Sequence, residues 1–562
     1  MTLEARSCSP SDRLRRSPRL LDFTSVVLGV LASACATSAS TEIASDQAAG
    51  LTFDRHEIVT GSSEHQTVLT GHFLGGAVAD LGVVGVDAND HRRLSLYAFD
   101  GDGWTQRLEV ALGPQVLFVD VARIGGRDRL LTYGPGRLSW FDPASATERL
   151  LIEVAIGYNA SPSGLHYAGM EPTGPFDEGE VPWVDISRDV NHDGRDDLVI
   201  PGVDGFRVFV QTGDGGFAAP SKVGPVEPFR DAFGFDEKRS YGQVGLSPLT
   251  VPMYLSRVHE VDYNLDGRSD LVFWNGDHFE VHYQDARGLF DPVADTFTTD
   301  APFDSDGAYS LAFAFRGASS FRLAFGLRKR TKYTMLHSFR DMDADGVADL
   351  VTFSVEGRSL IKQRSQYEVY FGAPAGDGIS FSRHRSSAVR ARVKAPPGGG
   401  YSSARLEDYN GDGRLDVGLM ALRTGVGKMI RALLNRSISI SFELATAENG
   451  GYPEEATVRR TVRSDIGIRG GRDAGFWPPV LTGDVNGDGS ADLLVGRSRQ
   501  ELQLFVGGPD MLAREPQKIA VTLPGDERNS WLVDLDDDGK QDLLMHHPST
   551  TEPHRVTILV PR

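Results

Sequence analysis

The sequence predicts an all-β protein built from repeated short strands, and three observations indicate this fold class. The chain of 562 residues contains the nine-residue acidic pattern Asp-x-Asn/Asp-x-Asp-Gly-x-x-Asp six times. Each copy is followed at once by a short apolar run, such as Leu198–Ile200 or Leu271–Phe273. Short apolar runs bounded by turn residues are typical of buried strands. Related segments recur at roughly 50 to 80 residues, which indicates one repeated structural unit.

The acidic pattern has the spacing of a calcium-binding loop. A hard divalent cation prefers roughly 6 to 8 oxygen ligands, and a tight turn brings alternate residues to one point. Positions 1, 3, 5 and 9 of the pattern offer side-chain oxygens, and position 7 offers its backbone carbonyl. Position 6 is glycine in all six copies, because the chain must turn there with positive φ.

We therefore expect about six bound calcium ions. The predicted ligands are Asp189, Asn191, Asp193, Arg195 and Asp197; Asp262, Asn264, Asp266, Arg268 and Asp270; Asp341, Asp343, Asp345, Val347 and Asp349; Asp408, Asn410, Asp412, Arg414 and Asp416; Asp484, Asn486, Asp488, Ser490 and Asp492; and Asp534, Asp536, Asp538, Lys540 and Asp542. In chain order these segments are called acidic loops 1 to 6.

Two other interpretations of the acidic loops exist. Asp, Asn and Gly favour solvated turns in general, but six copies in one register favour a metal site. Helical EF-hand loops begin in the same way and carry an acidic ligand at position 12. Position 12 here is never acidic, being occupied by Ile200, Phe273, Thr352, Leu419, Val495 and Met545. Each acidic loop is therefore predicted to lead into a strand.

On these residues the chain resembles the FG-GAP (VCBS-type) repeat family, which includes the propellers of integrin α chains. Three further segments carry the resemblance: Phe371-Gly372-Ala373-Pro374, Gly483-Asp484-Val485-Asn486 and Gly213-Asp214-Gly215-Gly216-Phe217. The similarity covers nearly everything after residue 50. It implies a β-propeller of four-stranded blades with calcium-binding loops in most blades.

Two degenerate copies of the acidic loop lie upstream of the six intact ones. The segment 71–81 keeps only Asp80 of the side-chain ligands, and the segment 120–128 keeps Asp120 and Asp128. Both copies keep the length of the loop and lose ligands, and we expect neither copy to bind calcium well. Because each copy marks one blade, the sequence predicts eight four-stranded blades. The alternative is seven blades, if one degenerate copy is only an insertion.

The last blade is predicted to be completed from the other end of the chain. Strands are expected at Leu543–Met545 and Val556–Val560, and the chain then ends one strand short. The segment Leu51–Thr60 precedes the first degenerate copy, and we expect it to supply the missing strand. Such pairing closes the ring and removes exposed sheet edges.

The amino-terminal segment is predicted to direct export. Five arginines precede an apolar stretch, Phe23–Ala34, that is too short to span a membrane. We expect a signal peptide at 1–34, a flexible tether at 35–50 and an FG-GAP-type propeller at 51–562. Cys35 follows small residues and is a possible lipid anchor of a bacterial outer-membrane or cell-surface lipoprotein. Cleavage by ordinary signal peptidase, giving a secreted protein, is the alternative.

Charge and motifs restrict the function. The formal net charge of −19 argues against a nucleic-acid partner, because phosphate binding needs a basic face. No serine-nucleophile, zinc-protease or phosphate-loop motif is present, and the trio His278, Glu280 and His282 is a weak candidate for a transition metal. The favoured interpretation is a non-catalytic binding or adhesion module for extracellular protein or carbohydrate. The alternative is a polysaccharide-active enzyme resembling rhamnogalacturonan lyase.

Overall fold

The computed structural model describes most of the chain after residue 49. The described residues are 50–562 except 63–64, 88, 90, 156–157, 162–163, 168–180, 182, 203, 226–257, 304, 307–330, 358–363, 391–404, 423–435, 449, 467–475 and 550–551. The predicted signal peptide at 1–34 lies outside them, as does the predicted tether at 35–50 apart from Gly50. Residues 51–562 form one compact unit.

The described strands form eight antiparallel blades in a β-propeller, so the predicted fold class is confirmed with eight blades and not seven. The chain begins with β1 (Phe53–Gly61), which belongs to blade 8. Blade 1 contains β2 (His65–Gly71), β3 (Asp80–Val86), β4 (Arg92–Phe99) and β5 (Trp104–Leu112). Blade 2 contains β6 (Phe118–Ile124), β7 (Arg127–Gly134), β8 (Arg137–Asp142) and β9 (Thr147–Glu153). A separate hairpin follows, of β10 (Tyr158–Ser161) and β11 (Gly164–Tyr167).

The next three blades continue in chain order. Blade 3 contains β12 (Ser187–Arg188), β13 (Asp197–Gly202), β14 (Gly205–Phe209) and β15 (Ser221–Val223). Blade 4 contains β16 (His259–Val261), β17 (Asp270–Trp274), β18 (Phe279–His282) and β19 (Asp295–Phe297). Blade 5 contains β20 (Ser305–Asp306), β21 (Thr331–Arg340), β22 (Asp349–Gly357), β23 (Arg364–Ala375) and β24 (Gly378–Arg390). The short β20 is an addition to the four-stranded plan and runs parallel to β21.

The last three blades complete the ring. Blade 6 contains β25 (Arg405–Glu407), β26 (Asp416–Leu422), β27 (Ser437–Ala445) and β28 (Val458–Asp465). Blade 7 contains β29 (Val480–Gly483), β30 (Asp492–Ser498), β31 (Glu501–Phe505) and β32 (Gln517–Ala520). Blade 8 contains β33 (Ser530–Val533), β34 (Asp542–His547), β35 (His554–Pro561) and β1. The described part of the chain holds no α-helix, and hence no helix long and apolar enough to cross a membrane.

The ring is closed by the first and last strands, as the sequence predicts. β1 pairs antiparallel with β35 in a register that runs from Phe53 opposite Pro561 to Gly61 opposite His554. The closure extends beyond the sheet, because Leu51 N donates a hydrogen bond of 2.8 Å to Gln517 Oε1 in blade 7. β1 thus holds β35 in place, and it completes blade 8 with a fourth strand.

The core is distributed between neighbouring blades. In the closing interface, Ile58 and Leu544 of blade 8 pack in one buried cluster with Leu81 of blade 1. Second strands such as Leu198–Ile200 are buried on both faces, because each sheet is covered by a blade on either side. This arrangement explains why the apolar runs after the acidic loops are continuous and do not alternate with polar residues.

Candidate metal centres and the face around them

The six acidic loops occupy equivalent places in blades 3 to 8. Each loop joins the first strand of its blade to the second, and its ninth residue is the first residue of that second strand. These ninth residues are Asp197, Asp270, Asp349, Asp416, Asp492 and Asp542. The apolar run therefore fixes the position of the loop, because burial of the second strand fixes where position 9 must lie.

Two left-handed residues shape every acidic loop. The glycine at position 6 has a φ between 82° and 84° in all six copies. Position 4 also has positive φ, from 55° at Asp537 to 76° at Gly487. The sequence pattern predicts only the first of these. The signal for the second is the glycine at position 4 of loops 4 and 5, Gly411 and Gly487, since glycine takes this conformation without strain.

The side chains at positions 1 and 5 hold the turn through backbone hydrogen bonds. The position-1 carboxylate accepts a hydrogen bond from the position-6 glycine N–H in all six loops, at 2.7 to 3.0 Å. The position-5 carboxylate accepts one from the position-7 N–H, at 2.8 to 3.0 Å. These bonds point the carboxylates into the loop, where a cation would lie.

Loops 3 and 6 bring carboxylates together as a metal site requires. Oxygens of Asp341, Asp343 and Asp345 lie within 4.8 Å of one another, and so do oxygens of Asp534, Asp536 and Asp542. In loop 6 one oxygen of each of these three side chains, Oδ1, is buried and has no hydrogen-bond partner. Buried oxygens without donors are costly unless a cation or water satisfies them. The donor set, oxygen only, fits calcium.

In five of the six loops, another side chain of the same loop pairs with the position-5 carboxylate. In loops 1, 2, 4 and 5 the position-3 asparagine donates its Nδ2–H to the position-5 carboxylate. The position-7 cation pairs with the same carboxylate in loops 1, 2, 4 and 6, through Arg195, Arg268, Arg414 and Lys540. In these four loops position 7 therefore contributes a side-chain ion pair, where the sequence predicted only a backbone carbonyl ligand.

The ninth carboxylate is buried and ties the loop to two strands. In loop 3, Asp349 Oδ2 accepts from Met342 N at 2.9 Å, and its Oδ1 accepts from Gly372 N at 2.7 Å. Burial is the main cause that raises the pKa of this residue to about 7, and carboxylates of the same loop add to the shift. Burial likewise raises the pKa to about 7 in Asp197, Asp416 and Asp542 and to about 6 in Asp270 and Asp492.

The motif glycine Gly372 is explained by this loop. A Cβ at Gly372 would overlap Ala348 O, the carbonyl at position 8 of loop 3, and would lie 2.9 Å from Val347 Cγ1. Blade 3 has glutamine at the equivalent place, where Gln211 N donates to the ninth carboxylate and Nε2 donates to Asp196 O, again the position-8 carbonyl. The residue at this place, glycine in blade 5 and glutamine in blade 3, therefore lies directly against the position-8 carbonyl of the acidic loop.

The two degenerate copies differ from each other. In blade 1, residues 72–79 still form a loop, and buried Asp80 accepts a hydrogen bond from Leu74 N at 2.6 Å. In blade 2 the expectation of a full-length loop is wrong, because Asp120 lies inside β6 and bonds to Trp183 Nε1 at 2.6 Å. β6 and β7 pair until only Gly125 and Gly126 remain in the turn.

The trio His278, Glu280 and His282 in β18 and beside it does not form a metal site. His282 is buried, with Nδ1 2.7 Å from Asp291 O and Nε2 accepting from Gly224 N at 2.9 Å. Both ring nitrogens therefore have backbone partners. His278 lies beside Asp277, with Nδ1 2.6 Å from Oδ1.

A cavity of about 980 Å³ opens on the acidic-loop face beside the degenerate copies. Its walls come from the 71–79 loop of blade 1, the short turn of blade 2 and acidic loop 6 of blade 8. The lining includes Phe73, Arg123, Arg127, Arg129 and Asp534. The short turn of blade 2 replaces the longer acidic loop that blades 3 to 8 carry at this place.

The fold and its loops define the class of this protein: an eight-bladed β-propeller with acidic loops in six of its blades, a fold that serves as a binding module. The family model described as "FG-GAP-like repeat" matches residues 484–545, from the first residue of acidic loop 5 into β34. The chain therefore contains an FG-GAP-like repeat, and the predicted resemblance is confirmed. No curated protein matches the sequence. A crystal structure of a protein from Lactobacillus plantarum is similar at 13% identity, covering 68% of this chain and 81% of that chain, with a TM-score of 0.26.

Proposed function

We propose that the protein is an exported, calcium-stabilised propeller that acts as a non-catalytic binding or adhesion module for protein or carbohydrate at the cell surface. The observation that carries the calcium proposal is the set of converging, unpartnered oxygens of Asp534, Asp536 and Asp542. The same nine-residue pattern at the equivalent place of six blades extends it to about six ions.

Calcium would act as a structural element in this proposal. Each acidic loop joins the inner two strands of its blade, and its carboxylates repel one another in the absence of a cation. A bound divalent cation would offset that repulsion and hold the loop in one conformation. Extracellular calcium modules operate with dissociation constants of about 10⁻⁴ to 10⁻³ M, which agrees with the proposed export.

The cavity on the acidic-loop face supports binding as the role of that face. Its volume lies in the usual range for ligand sites, and polar side chains converge on it. The same cavity keeps the polysaccharide-active enzyme as a second candidate, because His72 and three arginines line it. The two candidates differ in chemistry: a lyase releases an unsaturated product that absorbs ultraviolet light, and a binding module does not.

Metal analysis and thermal unfolding test the proposal. The mature protein is expected to hold about six calcium ions per chain after dialysis against calcium, and its melting temperature should fall in excess chelator. Equal melting temperatures in chelator and in millimolar calcium would refute the calcium role. Incubation with a pectin panel, followed by ultraviolet absorbance, decides between binding and lysis.

Attachment to the membrane is a separate part of the proposal. Cys35 would carry lipid in an outer-membrane or cell-surface lipoprotein, and otherwise the protein would be secreted. Labelling of the wild type with a fatty acid, and loss of the label in Cys35→Ser, would support the lipid anchor. A labelled Cys35→Ser variant, or an unlabelled wild type recovered from the medium, would exclude it.

A further inference from the structure

The cavity between blades 8, 1 and 2 is lined by three arginines as well as by four aspartates. No hydrogen bond or ion pair joins the guanidinium groups of Arg123, Arg127 and Arg129 to another residue that the structure describes. Other guanidinium groups have such partners, as Arg149 has Asp142 and Arg188 has Glu260. The sequence did not single out the three arginines. The signal for two of them is the alternation of arginine at positions 127 and 129, at the end of the degenerate copy in blade 2.

Two of these arginines lie side by side, although burial and mutual repulsion disfavour the charge of Arg129. Arg127 and Arg129 alternate along β7 and therefore point to the same face of blade 2. Arg123 is paired opposite Asp128 and points to the other face, so the three arginines lie on both sides of the end of the blade. The guanidinium carbon of Arg129 lies 3.9 Å from the centroid of the Trp140 ring, which fixes its plane. Burial lowers the pKa of Arg129 and the neighbouring Arg127 lowers it further, while Asp142 acts in the opposite direction. An anion between the two guanidinium groups would offset the repulsion between them.

Carboxylates in the same wall restrict the class of anion. Asp128, Asp142, Asp534 and Asp537 line the cavity, and the whole chain has a formal net charge of −19. A dense polyanion such as a nucleic acid would meet these carboxylates along with the arginines. A ligand with few, separated carboxylates among neutral hydroxyls fits both kinds of group, because Asp accepts hydrogen bonds from hydroxyls and Arg binds carboxylates in a bidentate manner.

We infer that this cavity binds a carboxylated oligosaccharide, a chain of uronic acid units, with Arg123, Arg127 and Arg129 holding its carboxylates. The inference rests on the proposed binding function and names the ligand class for it. Guanidinium groups suit the task, because their planar donors match carboxylate geometry and lose little hydration. Phe73, half-buried in the wall, offers an apolar surface for a sugar ring.

Acidic loop 6 couples the cavity to calcium. Asp534 belongs both to the carboxylate cluster of loop 6 and to the cavity wall. Asp537, at position 4 of the same loop, lies 3.7 Å from His72 Nε2, and His72 Nδ1 lies 3.2 Å from Asp128. A cation in loop 6 would lower the negative potential on that wall. Affinity for the acidic ligand is therefore expected to rise with calcium occupancy.

Calorimetry with a matched pair of ligands tests the inference. The mature protein, in millimolar calcium, is titrated with trigalacturonate and with its fully methyl-esterified form, which has the same number of sugar units and no charge. The acid should bind and the ester should not. Arg127→Gln with Arg129→Gln should weaken binding about tenfold or more, since two charge-assisted contacts are lost. Arg123→Gln, an exposed position, should weaken it severalfold.

Arg137→Gln serves as the control variant. Arg137 is an exposed arginine of the same blade that pairs with Glu148 and does not line the cavity. Its affinity should stay within about twofold of the wild type, and melting curves of all variants establish folding. Equal affinity for acid and ester, unchanged affinity in Arg123→Gln, or tighter binding of RNA or an acidic peptide would overturn the inference.

The test separates this inference from the proposed function. A protein that is stabilised by calcium but ignores trigalacturonate and other uronate trimers contradicts the ligand class alone. A protein without calcium stabilisation contradicts the proposed function, whatever it does with the trimers. Release of unsaturated product from a uronate polymer would also count against the non-catalytic proposal, while the ligand class would stand.

Discussion

Position 3 of acidic loop 6 offers a direct test of the metal centres, because the other loops supply the control. Asp536 is one of the three converging carboxylates of that loop, and burial and repulsion by Asp538 and Asp534 raise its pKa. In four of the six loops asparagine occupies this position. Asp536→Asn should therefore keep a working ligand oxygen, whereas Asp536→Ala removes it.

The expected size of the effect follows from linkage. At 10 mM calcium, a site with a dissociation constant of about 10⁻⁴ to 10⁻³ M stabilises the folded state by about 1.4 to 2.7 kcal/mol. If residues 51–562 unfold together, the unfolding entropy is roughly 1 kcal/mol per kelvin. Asp536→Ala should thus lower the melting temperature in calcium by about 1 to 3 °C and reduce bound calcium by about one ion per chain.

The sign of the effect in chelator is a sharper test than its size. Asp536→Asn removes one charge from a loop of repelling carboxylates while keeping an oxygen at the same place. The variant should therefore be at least as stable as the wild type in chelator and should still gain stability from calcium. Thermal unfolding and metal analysis are measured on all three proteins. Identical curves for Asp536→Ala and wild type in calcium would refute the assignment of Asp536 as a ligand.

Three further predictions concern the ring and its loops. Ile58→Ala, in the closing strand, should lower the free energy of unfolding by about 2 to 4 kcal/mol, while exposed Val59→Ala should change it by less than about 0.5 kcal/mol; denaturant unfolding measures both. Gly372→Ala should cost about 1 to 3 kcal/mol by overlap with the position-8 carbonyl, and Gly213→Ala, with open space around it, should be neutral in the same assay. Burial lowers the pKa of His546 to about 3, so below about pH 6.5 the unfolded chain takes up a proton on this residue and the folded protein does not. The free energy of unfolding should therefore fall by about 2 kcal/mol between pH 7 and pH 5, and His546→Phe should lose that part of the pH dependence.

Local patterns predicted the repeat, the blade number and the closure of the ring. The acidic loops and the apolar runs are short-range signals, and burial of the second strand fixes their relation. The closing strand was predictable by counting, because the last blade lacked one strand. The fifth strand of blade 5 was not, since β20 is two residues long and pairs with a distant segment.

Features that depend on contacts between blades escaped the sequence analysis. Asp120 retained the spacing of a ligand, yet it lies within β6, because continued pairing of β6 with β7 absorbed the loop. The arginines of the cavity are ordinary in sequence. Whether such an arginine is paired depends on which carboxylates the fold brings near it. At the ring closure these carboxylates come from blade 2 and from blade 8, which are far apart in the sequence.

The loss of acidic loops in blades 1 and 2 and the cavity beside them have one physical explanation. An acidic loop places several carboxylates between the first two strands of its blade, so a blade that keeps the loop has carboxylates where blade 2 has arginines. Blade 2 has a two-residue turn at this place, and Arg123 and Arg127 stand on either side of it. Loop 6 of blade 8 remains as the opposite wall. In this arrangement the intact loops stabilise the ring, and the degenerate copies leave a place at its closure where a ligand can bind.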